Sequence, residues 1–283
     1  MDEYRYEPGP DQQASMNQTQ TTTFGSKLKK EIKTHEVGEV SMPKIFMWLG
    51  IGLLITAVIS LCVPYIVMAL TDGFTQNPEI FSGVYIGMLV VSLILMIPSS
   101  LMMAFKVGAK NTALMKAGYF IYTVAMGMML SSLLLVIYAI TYDPTEEAAY
   151  LNPTFLSTVS MSFFITAGSF LVMGVIGSFT KHMNAAIPVV LTGAIGCLLM
   201  SIVNLFLRVD SIYWIIDFVL FGLILLVTAI DMHNIKKIAE SSKGKVNGTN
   251  LSIYCAYCLY VDFINILVRV LYYVLIFTSN KKK

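Results

Sequence analysis

Two aspartates, an asparagine and an arginine sit inside otherwise apolar stretches of the last quarter of the chain. The run YWIIDFVLFGLILLVTAID contains Asp217 and ends at Asp231, while IYCAYCLYVDFINILVRVLYYVLIF contains Asp262, Asn265 and Arg269. A charge inside such a run is costly in lipid and marks a functional site by default. Two carboxylates on neighbouring segments offer specific chemistry. In a low dielectric both cannot ionise cheaply, so they share a proton and titrate as a unit. Once deprotonated, they repel, and their oxygens suit a hard cation such as calcium. The plainer alternative is a hydrogen-bonded pair that only joins two helices.

The elements needed to position them follow from spacing. If the two runs form a hairpin turning near Lys245, Asp231 lies 14 residues before the turn and Asp262 17 after it. Helices rise ~1.5 Å per residue, so the carboxylates are expected at similar depth and within hydrogen-bonding reach. Asp262, Asn265 and Arg269 fall at i, i+3 and i+7, on one face that should point into a bundle rather than at lipid. Arg269 is expected to neutralise Asp262 through another residue or water. Asp217 lies loosely on the face of Asp231, where it could attract cations near an outer mouth. Asn204 and Asn265 also read as residues that join helices by hydrogen bonds. His233, two residues beyond Asp231 and off its face, reads as a residue of the cytosolic interface.

The chain has 283 residues, 56% hydrophobic and 13% charged, with a mean hydropathy of +0.72. That is the composition of an all-α polytopic membrane protein rather than a soluble domain. A net charge of +2 gives no case for nucleic-acid binding. Cys255-x-x-Cys258 has redox or metal spacing, but no second pair or nearby His accompanies it, and all four cysteines read as ordinary membrane-helix residues.

Residues 1–42 are rich in Gln, Thr, Ser and charge, contain no cleavable signal, and read as a disordered tail with a short basic helix possible at 27–33. A membrane domain over 43–279 follows. Its seven apolar runs, each near the ~20 residues a bilayer requires, are 45–70, 83–105, 117–141, 155–178, 185–207, 213–231 and 252–277. Pro64, Pro98 and Pro188 inside runs are tolerated as kinks.

Lys27, Lys29, Lys30, Lys33 and Lys44, Lys106, Lys110 and Lys116, Lys181, and Lys236, Lys237, Lys243 and Lys245 all fall on one side, against Arg208 alone on the other. That bias puts the N-terminus in the cytoplasm. Lys281, Lys282 and Lys283 run against it. Either they are translocated or the last run stops short of crossing.

These residues carry a resemblance. SFFITAGSFLVMGVIGSFTK (162–181), MSIVNLFL (200–207), LLVTAIDMHNIKKI (225–238) and CLYVDFINILVRVL (258–271) resemble signature stretches of the transmembrane Bax-inhibitor-motif family. YFIYTVAMGMMLSSLLLVIY (119–138) looks like its third helix and LGIGLLITAVISLCVPY (49–65) like its first. The LYxDFIN stretch looks closer to the bacterial YccA-like and YetJ-like branch. The resemblance implies a seven-transmembrane-helix bundle with the C-terminal helix central. It also implies a pH-sensitive calcium leak in which Asp231 and Asp262 share a proton and gate a pore. The sequence departs from the family at Met232 and His233, in the absence of an acid in the second run, and at Arg269, which stands one turn before the family's usual Arg.

The resemblance implies a bacterial inner-membrane location, or otherwise an endomembrane, and a monomer or weak oligomer. No cofactor is expected, with calcium entering only as a permeant ion. A second reading is a regulatory membrane protein that binds a membrane-anchored AAA protease or stress and cell-death machinery, with the tail as its handle. An intramembrane aspartyl protease is the third, but the Gly-x-Gly-Asp pattern of those enzymes is absent.

Overall fold

A computed structural model describes residues 40–70, 78–106, 112–141, 153–207, 209–241 and 248–281. The expected tail and its basic helix lie outside the described residues, as do most lysines and acids of the loops. Residues 39–283 form one compact unit. Described in chain order, its helices are α1 (Met42–Leu70), α2 (Pro78–Lys106), α3 (Thr112–Thr141), α4 (Pro153–Phe179), α5 (Ile187–Leu207), α6 (Asp210–Ser241) and α7 (Gly248–Lys281). A 3-10 turn, Met183–Ala186, leads into α5. All seven are long and apolar enough to cross a membrane, and no strand occurs among the described residues.

Each apolar run falls inside one helix, except that 185–207 begins in the 3-10 turn before α5, and helix ends differ from run ends. The sharpest case is α6. Its hydropathy falls at Asp231, yet the helix continues ten residues to Ser241, because Lys, Ala and Glu in IKKIAES favour helix while the lysines and the glutamate lower its hydropathy. Pro188 is not a mid-helix kink. It occupies the first turn of α5, where its missing N–H breaks no bond. Pro64 and Pro98 lie within α1 and α2. Helix α7 is long and apolar enough for a full crossing, over Gly248–Phe277.

The core lies where α7 meets α1, α3, α4 and α6. Helix α7 is central, as the resemblance implies, and α3 is equally interior: 56% and 61% of their apolar windows are buried, against 6% for the peripheral α5. Close approach depends on small residues, since lipid supplies no hydrophobic force between helices. A Cβ on Gly127 would meet Ile59 of α1, and one on Gly177 would run into the Ala229 carbonyl of α6. Side-chain hydroxyls join the same helices. Thr56 Oγ1 donates to the Thr123 carbonyl at 3.1 Å, Ser131 Oγ to Ile59 at 3.2 Å, and Tyr119 to Trp48 at 2.7 Å.

Candidate functional site

Asp231 lies ten residues before the end of α6 at Ser241, and Asp262 fourteen after the start of α7 at Gly248. At ~1.5 Å per residue, the four-residue difference is an axial offset of about 6 Å, roughly one helical turn. Asp231 is therefore level with Cys258 rather than with Asp262. Its neighbours agree: the carboxylate is within electrostatic reach of Tyr254, Cys255, Cys258 and Asp262. The expectation of matched depth and a direct hydrogen bond is corrected to this extent. The two helices do bring the carboxylates within electrostatic reach, and by this count they stand about one turn apart, one residue more than the difference that a turn at Lys245 gives.

Asp262 is 6% exposed, and its Oδ2 is buried without a hydrogen-bond partner. Buried polar atoms are nearly always satisfied, so an orphaned carboxylate oxygen points to a function or to a proton or ion it receives. Asp231 is half-buried. Tyr254 and Cys258 share a hydrogen bond beside the pair. Tyr254, Cys258 and Asp262 stand at i, i+4 and i+8, one face of α7. With no second pair of thiols and no His beside it, Cys258 does not stand out in the sequence. Its four-residue spacing to Asp262 is the available signal.

A less buried strip runs the length of α7 beside Asp262, through Tyr254, Cys258, Val261, Asn265, Arg269 and Tyr272. Asn265 does not turn into the bundle as expected; it is exposed on this strip. Arg269 does not reach toward Asp262. It forms an ion pair with Asp217 of α6, since Arg269 stands two turns beyond Asp262 and level with the outer part of α6. Tyr273 adds a hydrogen bond to the Asp217 carbonyl at 3.3 Å. Asp217 borders a cleft of about 330 Å³ lined also by Tyr213, Trp214 and Tyr272. Asp217 is thus neutralised across the helix interface instead of standing as a lone acid.

His233 is buried against protein, with Nδ1 3.2 Å from the Gly177 carbonyl near the end of α4. One turn on, Lys236 Nζ donates to the Ser178 carbonyl at 2.9 Å. These residues satisfy carbonyls at the C-terminus of α4, where a positive charge is favoured by the helix dipole. They tie α4 to the segment of α6 that carries Asp231. Asn204 Oδ1 accepts a hydrogen bond from the Val209 backbone N–H at 3.0 Å, which ties α5 to the residue that precedes α6.

Among the described residues, no group of three or more His, Cys, Asp or Glu side chains could hold a metal ion. Two carboxylates offer at most four of the six to eight oxygens calcium takes. A calcium ion beside Asp231 and Asp262 would keep much of its water, as suits an ion in passage more than a resident one.

Similarity to known proteins fits this arrangement. The inner membrane protein YbhL of Escherichia coli is 27% identical over 147 residues, which cover 50% of this chain and 62% of that protein. The membrane protein SpyM3_0260 of Streptococcus pyogenes is 28% identical over 116 residues, 41% of this chain and 50% of its own length. RP147 of Rickettsia prowazekii is 28% identical over 127 residues, covering 44% and 52%. The matched stretches thus span between half and two thirds of these relatives. No solved structure matches the chain. The family model described as inhibitor of apoptosis-promoting Bax1 matches residues 39–280. That span takes in all seven helices and both carboxylates, and the chain is a multi-pass membrane protein belonging to the Bax inhibitor-1 family.

Proposed function

We propose that the protein is a pH-sensitive cation leak, with calcium as the permeant ion, gated by Asp231 and Asp262. The observation that carries this reading is the unpartnered Oδ2 of buried Asp262, one turn from a second carboxylate and beside the open strip of α7. With one proton on the pair, a small side-chain rotation and helix slide close the offset, and a shared hydrogen bond holds α6 to α7. With none, two like charges in a low dielectric push the helices apart. Low pH therefore favours the closed arrangement and high pH the open one. Cys258, Asn265 and Arg269 line the route along the strip.

The absence of a Gly-x-Gly-Asp pattern at either aspartate favours this over peptide hydrolysis. The lysine distribution supports a cytoplasmic N-terminus, and the bacterial relatives support a cell-membrane location. The test is calcium flux into liposomes as a function of pH, for wild type, Asp231→Asn and Asp262→Asn. Flux that is pH-independent in the wild type overturns the proposal.

A further inference from the structure

Helices α1 and α4 stand apart over the half of the bundle where α3 ends and α4 begins, leaving a groove of about 340 Å³. Its walls are Leu53 to Leu61 of α1 and Leu156 to Phe164 of α4, and its floor is Leu130 and Leu134 of α3 with Phe263 to Leu271 of α7. Eight residues of helix rise span about 12 Å, most of the ~15 Å that one leaflet contributes to a ~30 Å hydrocarbon core. The rim residues Leu61, Leu156, Phe163 and Phe164 are exposed, so the groove is continuous with the lipid-facing surface. Its deep polar groups ask nothing of an occupant. Thr56 Oγ1 donates to the Thr123 carbonyl at 3.1 Å and meets the Tyr260 hydroxyl, and Ser60 Oγ donates to the Ala57 carbonyl at 3.1 Å. What fits is hydrocarbon without a polar group at that depth.

We propose that this groove is a binding site for one acyl chain of a bilayer phospholipid, entering from the leaflet at the α3 and α4 end. The site has a mechanical consequence that rests on the gating reading above. At about 100° per residue, Ile264, Leu267 and Leu271 lie roughly 140–200° around α7 from Asp262. The groove is thus the space behind α7, on the side away from Asp231. Repulsion between the carboxylates drives α7 toward the groove, and a chain seated there opposes the movement.

The test is photolabelling of the full chain. Vesicles of phosphatidylethanolamine and phosphatidylglycerol would be doped with phosphatidylethanolamine carrying a diazirine near the end of one chain, and labelled peptides mapped by mass spectrometry. Residues 53–61 and 156–164 are expected to carry several-fold more label than the lipid-facing α5. Ala57→Trp and Ser160→Phe, each filling the groove from one wall, should abolish that excess and leave the α5 label unchanged. Groove label no denser than that on α5, or unchanged label in either folded variant, overturns the proposal. Labelling reads no ion movement, so a protein that labels in the groove but shows no pH-dependent flux keeps this site and loses the gating reading.

Discussion

Replacing Asp262 with Asn removes one charge from the carboxylate pair while keeping a hydrogen-bonding side chain of the same shape. The axial offset between Asp231 and Asp262 is about 6 Å from helix rise. With the carboxylates roughly 6–8 Å apart and an effective dielectric of about 20, two full charges repel by about 2–3 kcal/mol. At 1.36 kcal/mol per decade, that is about a 30- to 100-fold change in the ratio of separated to associated helices. The sign follows from the protons. Raising pH removes the shared proton, adds the second charge and increases flux, and lowering it does the reverse. In the Asp262→Asn variant no second charge can form at any pH, so flux should stay near the wild-type low-pH level and its pH dependence should flatten. Asp231→Asn should do the same. Asp262→Ala also removes the hydrogen-bonding group and should loosen the contact between α6 and α7. The assay is calcium entry into dye-loaded liposomes stepped across neutral pH, with protein incorporation checked for each variant. If both Asn variants retain the wild-type flux-versus-pH curve, the carboxylates do not gate.

Gly177→Ala places a methyl group against the Ala229 carbonyl and should cost about 1–3 kcal/mol by overpacking, seen as a lower thermal midpoint in detergent. Gly168→Ala, with open space around it, should change stability by less than about 0.5 kcal/mol. Arg269→Met strands the half-buried charge of Asp217 and should destabilise by about 1–3 kcal/mol. Adding Asp217→Asn should restore part of that loss, and additive losses would show that the two do not interact. A chain starting at Ser41 should insert and run as a monodisperse membrane protein, since residues 1–40 carry little apolar surface. Aggregation of this chain alone would make the tail structural. Cysteines placed in residues 142–154 should react with an impermeant reagent only from outside, and labelling from the cytoplasm would invert the topology.

The number and order of the helices were legible in the sequence because a span is a local property. Some twenty apolar residues must form a helix if they enter lipid, whatever surrounds them. The identity of the paired elements was legible too: Asp231 and Asp262 are costly where they stand, and adjacent helices joined by a short connection must pack together. What hydropathy could not give was the end of α6. Lipid preference stops at Asp231 while backbone hydrogen bonding continues to Ser241, so α6 carries a polar extension, with Lys236 and Lys237, that its apolar run does not show. The partner of Arg269 was likewise hidden. Its spacing to Asp262 places both on one face of α7, but whether Asp217 is nearer depends on the register of α6 against α7. The burial of His233 was decided by α4, 56 residues away in sequence, whose terminal carbonyls it meets beside Gly177. The groove between α1 and α4 is a property of two helices that do not pack closely together. Periodicity along one helix shows which face is apolar, and only the packing of the bundle decides which of those faces another helix covers.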